Sequence, residues 1–226
     1  MTKPLELELR AGAQALGLAL SDVQVDQLLA YQDLIQKWTK VYNLTAVRDP
    51  AEMLTHHLLD SLAVVLPLQK QLAGMRASGA LAADAPVRLL DVGSGAGLPG
   101  AVIAICCPQV SVHCVDTVAK KAAFIQQVAV SLKLPNLRGI HARVENLTET
   151  YNVVSSRAFA SLLDFVTWSH KCLAEQGVWM AMKGKHPIDE MAALAVGVQV
   201  FHVEPLAVPG LDAERCILWL RPAAPA

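Results

Sequence analysis

The chain has 226 residues and a formal net charge of −1, with 54% hydrophobic and 17% charged residues. This composition predicts a large core and excludes an intrinsically disordered chain, and a nucleic-acid partner would need a local basic patch. The five cysteines form no C-x-x-C pair, and no apolar run reaches the ~18 residues of a membrane span. We therefore expect a cytoplasmic chain with reduced thiols and no membrane contact. The histidines other than His56 and His57 show no metal-ligand spacing, so we expect no metal, and we also expect a monomer.

The first part of the chain, residues 1–66, is predicted to be helical. Ser21 and Gln24 have the spacing of a capping box. The apolar residues that follow, up to Trp38, mostly fall on one helical face. We therefore expect a long amphipathic helix that begins directly after Ser21.

A second helix start lies at Asp49, because an N-cap aspartate precedes a proline in the first turn. We expect this helix to run to about Leu66 and to stop at Pro67, since proline usually breaks a helix. Residues 67–86 are rich in alanine and glycine and are predicted to be a connector with room for one more helix.

From residue 87 onward, short β-rich runs alternate with helix-like stretches. The runs are VRLLDV, VSVHCVD, LRGIHA, YNVVSSR, GVWMAMK, VQVFHVEPL and RCILWLR. This alternation predicts a mostly parallel sheet of seven strands with helices on its faces. The last two runs are joined by a Pro/Gly loop without a helix, so we expect an antiparallel hairpin at one edge. Residues 87–226 are thus predicted to form one α/β domain.

The stretch LLDVGSGAGLPG, residues 89–100, ends the first predicted strand and opens a helix. A strand, a glycine loop and a helix in this order are typical of nucleotide-cofactor sites in doubly wound sheets. Two registers fit the loop. In the first, residues 95–100 match G-x-G-x-x-G and Asp116 follows about 20 residues later, as in dinucleotide sites.

In the second register, Asp91 directly precedes G-x-G-x-G, the first motif of S-adenosylmethionine-dependent methyltransferases. The glycines of this motif are Gly93, Gly95 and Gly97. A carboxylate before the loop would repel a pyrophosphate, whereas S-adenosylmethionine carries a cationic amine, a sulfonium and two ribose hydroxyls. Asp116 ends the second strand, where it can accept both hydroxyls, and Glu145 follows the third strand near the expected adenine. These features favour S-adenosylmethionine over NAD.

The methyl acceptor is indicated by the segment after the fourth strand. It reads SSRAFAS where enzymes that methylate exocyclic amines carry D/N-P-P-Y/F, and no cysteine is placed for attack on cytosine C5. A ring nitrogen such as guanine N7 already offers a lone pair, so it needs orientation and desolvation but no general base. We therefore assign no catalytic side chain. A small-molecule acceptor stays open, and an NAD-dependent oxidoreductase is the wider alternative.

Several blocks together resemble one methyltransferase family. They are WTKVYNLTAVRDPAEMLTHHLLDS at 38–61, DVGSGAGLPG at 91–100, ARVEN at 142–146, SSRAFASL at 155–162 and MKG at 182–184. In order and spacing, from about residue 10 to residue 221, the chain resembles the RsmG family, also called GidB. The resemblance implies a Rossmann-like class I methyltransferase fold. It also implies methylation of N7 of one guanine in the 530-loop region of 16S ribosomal RNA.

The same resemblance implies individual cofactor contacts. They fall on Gly93 and Leu98 in the loop, on Val144 and Glu145 beside the adenine, and on Arg157 after the fourth strand. The glycine loop by itself indicates only a methyltransferase. The block at the end of the helical part is what points to this family.

Six basic residues are candidates for gripping the RNA backbone. They are Lys37, Lys40, Arg48, Arg157, Lys183 and Lys185. If they converge, they form the local basic rim that an RNA enzyme of near-zero net charge requires. His56, His57 and Asp60 lie in the helical part, and we expect packing or capping roles for them because guanine N7 needs no base.

Overall fold

The computed structural model describes residues 3–159, 161–194 and 197–223. Its strands are β1 (Val87–Val92), β2 (Val110–Asp116), β3 (Leu137–His141), β4 (Tyr151–Arg157), β5 (Leu173–Lys183), β6 (Val198–Leu206) and β7 (Arg215–Pro222). They form one seven-stranded sheet in the order β3-β2-β1-β4-β5-β7-β6. Strands β1 to β5 are parallel, and β7 runs antiparallel between β5 and β6. The predicted parallel sheet and its C-terminal hairpin are confirmed.

The central strands are apolar on both faces because helices cover both faces of the sheet. Leu89 and Val153 pack into the core on one face, and Leu90 and Val154 pack into the core on the other. All four side chains are fully buried. Their near-continuous hydrophobic runs are what made these strands recognisable in the sequence.

The first face is covered by the helices that precede β1 and by those that follow β1 and β2. These are α1 (Lys3–Ala15), α2 (Asp22–Tyr42), α3 (Pro50–Met53), α4 (Asp60–Leu62), α5 (Val65–Ala77), α6 (Gly100–Cys106) and α7 (Ala119–Ser131). The second face is covered by α8 (Leu162–Ser169) and α9 (Ile188–Ala192). None of the helices in the described ranges is long and apolar enough to cross a membrane.

Two helix starts lie where the sequence predicts them. The Ser21 hydroxyl accepts from the Gln24 amide while the Gln24 side chain accepts from the Ser21 amide, which completes the capping box. The Asp49 carboxylate accepts from the amides of Ala51 and Glu52. Both caps are local hydrogen bonds, so their residues are close in the sequence.

The predicted end of the second helix is wrong. A π-helical segment, Leu54–Leu59, joins α3 to α4, and the next helix, α5, begins at Val65. Pro67 lies in the first turn of α5, where its missing N–H is no loss because first-turn amides have no acceptor within the helix. Helix α5 therefore starts before residue 67 and continues into the predicted connector. The division into residues 1–66, 67–86 and 87–226 stays a prediction.

Candidate functional site

A cavity of about 430 Å³ lies where β1, β2 and β3 end. Four of the predicted cofactor residues line it, namely Gly93, Asp116, Val144 and Glu145. Because β1 has its successive partners β2 and β4 on opposite sides, this is the switch point at which doubly wound sheets bind ligands. A larger cavity, of about 950 Å³, lies between α5 and the amino-terminal half of β5, and no predicted site residue lines it.

Two positions in the loop require glycine, each for a different structural reason. Gly95 has a φ of 57° and a Cβ there would meet nothing within 4 Å, so the left-handed backbone is what requires glycine. Gly100 begins α6, and a Cβ there would lie 2.4 Å from the Cys114 sulfur. Its role is close packing of the helix on β2. Space is therefore open beside Gly95, while the loop glycine that lines the cavity is Gly93.

Asp91 is buried beneath the glycine loop and is hydrogen-bonded to the residue that begins α6. It is fully buried at the end of β1, where one carboxylate oxygen accepts from the Gly100 amide at 3.0 Å and the other from the Ser155 hydroxyl at 2.9 Å. Burial raises the pKa of Asp91 to about 6, although these hydrogen bonds and the charge of Arg157 oppose the rise. The first amide of α6 is therefore already bonded to the Asp91 carboxylate. A dinucleotide pyrophosphate would need such a helix-start amide as a donor.

Asp116 both shapes the loop and lines the cavity. Its carboxylate accepts from the amides of Gly95 at 3.0 Å and Val118 at 2.9 Å, and the Lys121 ammonium lies 3.6 Å away. An ionised carboxylate offers about four lone-pair positions, so capacity remains for hydroxyl donors from the cavity. Sequence reasoning missed Lys121, which also lines the cavity.

The part of the cavity lining that follows β3 and β4 includes a 3₁₀ turn and two aromatic rings. Val144 is buried in the turn Val144–Asn146 and Glu145 is exposed beside it. Phe159 and Trp168 line the same space, with ring centroids 5.6 Å apart in an edge-to-face arrangement. The sequence offered no signal for Trp168, because its place in an apolar helix is typical of a core residue, yet it is 40% exposed.

Three predicted loop contacts, Gly95, Gly97 and Leu98, are absent from the cavity lining. The Leu98 side chain is buried in the core below the loop. A Cβ at Gly97 would lie 3.3 Å from both Ile125 and the Tyr31 hydroxyl. That hydroxyl donates to the Ala96 carbonyl at 2.6 Å, so α2 holds the loop directly. Sequence reasoning missed this contact because 65 positions separate Tyr31 from Ala96.

Arg157, at the end of β4, belongs to an ion cluster and not to the cavity lining. Its guanidinium donates to the Asp60 carboxylate at 2.9 Å and to the His56 carbonyl at 3.1 Å. The second Asp60 oxygen accepts from Arg215 at 2.8 Å. His57 is buried, pairs with the Thr45 hydroxyl at 2.8 Å, and has its pKa lowered by that burial. Asp60, the His56 carbonyl and one ring nitrogen of His57 therefore have structural partners.

The remaining basic residues differ in how available their charges are. Lys37, Lys40 and Lys185 are exposed, and no ion pair is formed by them with the part of the chain that the structure describes. Arg48 donates to the Thr39 carbonyl at 3.0 Å and to the Asn43 side chain, which closes the end of α2.

Lys183 is already paired, because its ammonium lies 2.7 Å from the Glu190 carboxylate. Although burial alone would raise the pKa of Glu190, hydrogen bonds from Lys183 and from the Leu162 amide lower it. Within the described ranges, no three His, Cys, Asp or Glu side chains are grouped so that they could hold a metal ion.

Comparison with solved structures places the fold among methyltransferases. TrmN from Thermus thermophilus has a TM-score of 0.51 and 18% identity, with 67% of this chain and 48% of that chain covered. A predicted O-methyltransferase from Agrobacterium tumefaciens has a TM-score of 0.51 and 19% identity, with 74% and 80% covered. At these identities the likeness concerns the fold, and the predicted Rossmann-like methyltransferase fold is confirmed.

Comparison of sequences identifies the family. Proteins named ribosomal RNA small subunit methyltransferase G are similar to this chain over nearly its whole length. The one from Polaromonas naphthalenivorans is 66% identical over 222 residues, with 97% of each chain covered. The one from Paracidovorax citrulli is 67% identical over 219 residues, with 96% of this chain and 90% of that protein covered. The model of the GidB family, described as rRNA small subunit methyltransferase G, matches residues 24–218, and the chain belongs to this family.

Proposed function

We propose that this chain transfers the methyl group of S-adenosylmethionine to N7 of a guanine in the 530-loop region of 16S ribosomal RNA. Membership of the GidB family supports an rRNA substrate. The observation that carries the choice of cofactor is the placement of two carboxylates. Asp116 faces the cavity, and Asp91 fills the position at the start of α6 where a pyrophosphate would bind. An NAD-dependent oxidoreductase is disfavoured for that reason.

The residues at the cavity suit S-adenosylmethionine. When bound, this cofactor supplies an electrophilic methyl group on a sulfonium. We assign the ribose hydroxyls to Asp116, whose carboxylate has acceptor capacity left after the loop amides are satisfied. Glu145 and Val144 are assigned to the adenine side of the cavity. For Leu98 the proposed contact is through the backbone, because its side chain is buried below the loop.

The proposed reaction is direct in-line transfer. The N7 lone pair of guanine forms a bond to the methyl carbon while the bond from that carbon to sulfur breaks. The positive charge passes from sulfur to the imidazole ring of guanine, and no proton moves. The chain therefore contributes orientation and exclusion of water, and neither a general base nor a metal is needed.

We propose that exposed cations at the carboxyl-terminal end of the sheet bind the RNA phosphates. Lys37 and Lys40 lie near the end of α2, and Lys185 follows β5. Arg48, Arg157 and Lys183 have protein partners, so we assign them a supporting role at this surface. Because its substrate is ribosomal, we place the enzyme in the cytoplasm.

The test is incubation with tritiated S-adenosylmethionine and small ribosomal subunits that lack the modification. We expect label in 16S rRNA at one guanine, which reduction and aniline cleavage then map as 7-methylguanine. Fully modified subunits are the matched control and should take up no label. Label in another base or another RNA region would overturn the proposed specificity. Transfer to metabolites but not to RNA would favour a small-molecule methyltransferase.

A further inference from the structure

An exposed patch joins the end of α2 to the start of α7. We define this α2–α7 patch by Val41, Tyr42, Val118 and Lys120. Val41 is 72% exposed, Tyr42 44% and Val118 42%. An aromatic ring that is left open among exposed aliphatic side chains is typical of an interaction surface.

The Tyr42 ring rests on a rigid support. It lies 5.0 Å from the Trp38 ring, which in turn lies 5.2 Å from the ring of Phe124, a fully buried residue of α7. Arg48 ties the last turn of α2 to the following loop through Thr39 and Asn43. Tyr42, which is 44% exposed, is thus held in place before any partner arrives, and this reduces the entropy lost on binding.

The charge around the ring is positive. The Lys120 ammonium lies 5.5 Å from the Tyr42 ring centroid, within the range of a cation–π contact. Lys37 and Lys40 are exposed on the same end of α2. A hydrophobic protein partner would favour a surface depleted in lysine, whereas single-stranded nucleic acid is bound by aromatic rings flanked by cations.

The patch also adjoins the candidate cofactor cavity. Val118 belongs to the patch and lines the cavity, and Asp116 lies two positions before it. Lys121, next to Lys120, lines the cavity as well. A strand of RNA whose target base enters the site therefore has this patch within reach of its neighbouring nucleotides.

We propose that Tyr42 stacks on a base of the single-stranded RNA next to the methylated guanine, with Lys120 beside the adjoining phosphate. This inference rests on the proposed function and adds a substrate-binding site to it. Tyr42 and Lys120 are outside the cavity lining, so they act on RNA binding and not on cofactor binding.

The test is steady-state methylation of unmodified 16S rRNA by Tyr42→Ala, Tyr42→Phe and Lys120→Ala variants. Loss of one base–aromatic stack corresponds to about a 5- to 150-fold rise in the KM for RNA in Tyr42→Ala. Tyr42→Phe keeps the ring, so its KM for RNA should stay within about twofold of the wild-type value. The kcat of Tyr42→Ala and of Tyr42→Phe should also stay within about twofold of wild type. Log affinity falls with log salt, and Lys120→Ala should make this negative slope shallower by about 0.7. Tyr42→Ala should leave the slope unchanged.

Controls separate this inference from the proposed function. Val130→Ala and Lys70→Ala alter exposed residues outside the patch and should leave KM unchanged. Calorimetry with S-adenosylhomocysteine and thermal unfolding should match wild type in every variant. An unchanged KM in Tyr42→Ala, or an equal loss in Tyr42→Phe, overturns the stacking site while wild-type activity stands. If wild type itself does not methylate RNA, the proposed function fails.

Discussion

The carboxylate of Asp60 lies 2.9 Å from the guanidinium of Arg157, although 97 positions separate the two residues. Arg215, from the hairpin strand β7, binds the other oxygen of the same carboxylate at 2.8 Å. The Asp60 side chain is only 3% exposed. One buried anion therefore ties the helical segment before the sheet to the end of β4 and the start of β7.

Replacement of Asp60 by Asn should destabilise the fold, because two partly buried guanidinium groups lose their shared anion. We expect a loss of about 3 kcal/mol in the free energy of unfolding, the lower end for a broken buried pair, since both arginines keep some contact with water. Urea unfolding measures the change. Asp189→Asn, at an exposed position in α9, is the matched control. Equal stability of the two variants would mean that the cluster contributes nothing.

Two glycine-to-alanine substitutions should have opposite signs. Gly100→Ala forces a methyl group against the Cys114 sulfur and the Asp91 carboxylate, both buried, and should destabilise by about 1–3 kcal/mol. Gly74→Ala lies within α5, where a Cβ meets nothing within 4 Å, and should stabilise by about 0.5–1 kcal/mol. Thermal and urea unfolding report both. Adding Cys114→Ala should recover part of the loss at Gly100, and no recovery would argue against this clash.

Asp116→Ala should weaken the binding of S-adenosylhomocysteine by about 1–3 kcal/mol, as expected for lost hydrogen bonds to a charged group. Isothermal titration calorimetry measures the change. Asp116→Asn should lose less, because it keeps one carbonyl acceptor. Asp84→Ala removes an exposed carboxylate before β1 and should bind like wild type. Unchanged affinity in Asp116→Ala would remove this residue from the proposed site.

Asp91 should make stability depend on pH in an unusual direction. Its pKa is raised from 3.8 to about 6, so between these values the folded chain keeps a proton that the unfolded chain has lost. The contribution of Asp91 to the free energy of unfolding is therefore greatest below about pH 4 and falls as pH rises through the raised pKa near 6. From about pH 4 to neutral pH, Asp91→Asn should gain up to about 3 kcal/mol relative to wild type.

Urea unfolding of the two proteins across this pH range tests the prediction. The amide side chain in Asp91→Asn still offers a carbonyl oxygen to the Gly100 amide, so we expect the variant to fold. The exposed Asp84→Asn is the control, and its curve should run parallel to that of wild type. A constant difference between Asp91→Asn and wild type at all pH values would contradict the raised pKa.

Much of the fold could be predicted from local sequence patterns. All seven predicted strands are present, because each is a short run of β-branched and apolar residues between turn residues. The caps at Ser21 and Asp49 were predictable for the same reason, since each cap joins residues within three positions. The end of the second helix was not, because Pro67 breaks a helix interior but suits a first turn.

The sequence by itself determined the alternation of strands and helices, the glycine loop after β1 and the family. Only the tertiary structure decided which charges remain available. In the sequence, Asp91 is as good a site candidate as Asp116, and Arg157 is as good a candidate as Lys185. In the structure, Asp91 accepts hydrogen bonds from Gly100 and Ser155. Arg157 is paired with Asp60. The physical reason is that a charged side chain stays available only where the segments packed around it leave hydrogen-bonding capacity, as Asp116 does after the Gly95 and Val118 amides have donated to it. Such partners follow from packing and not from local pattern.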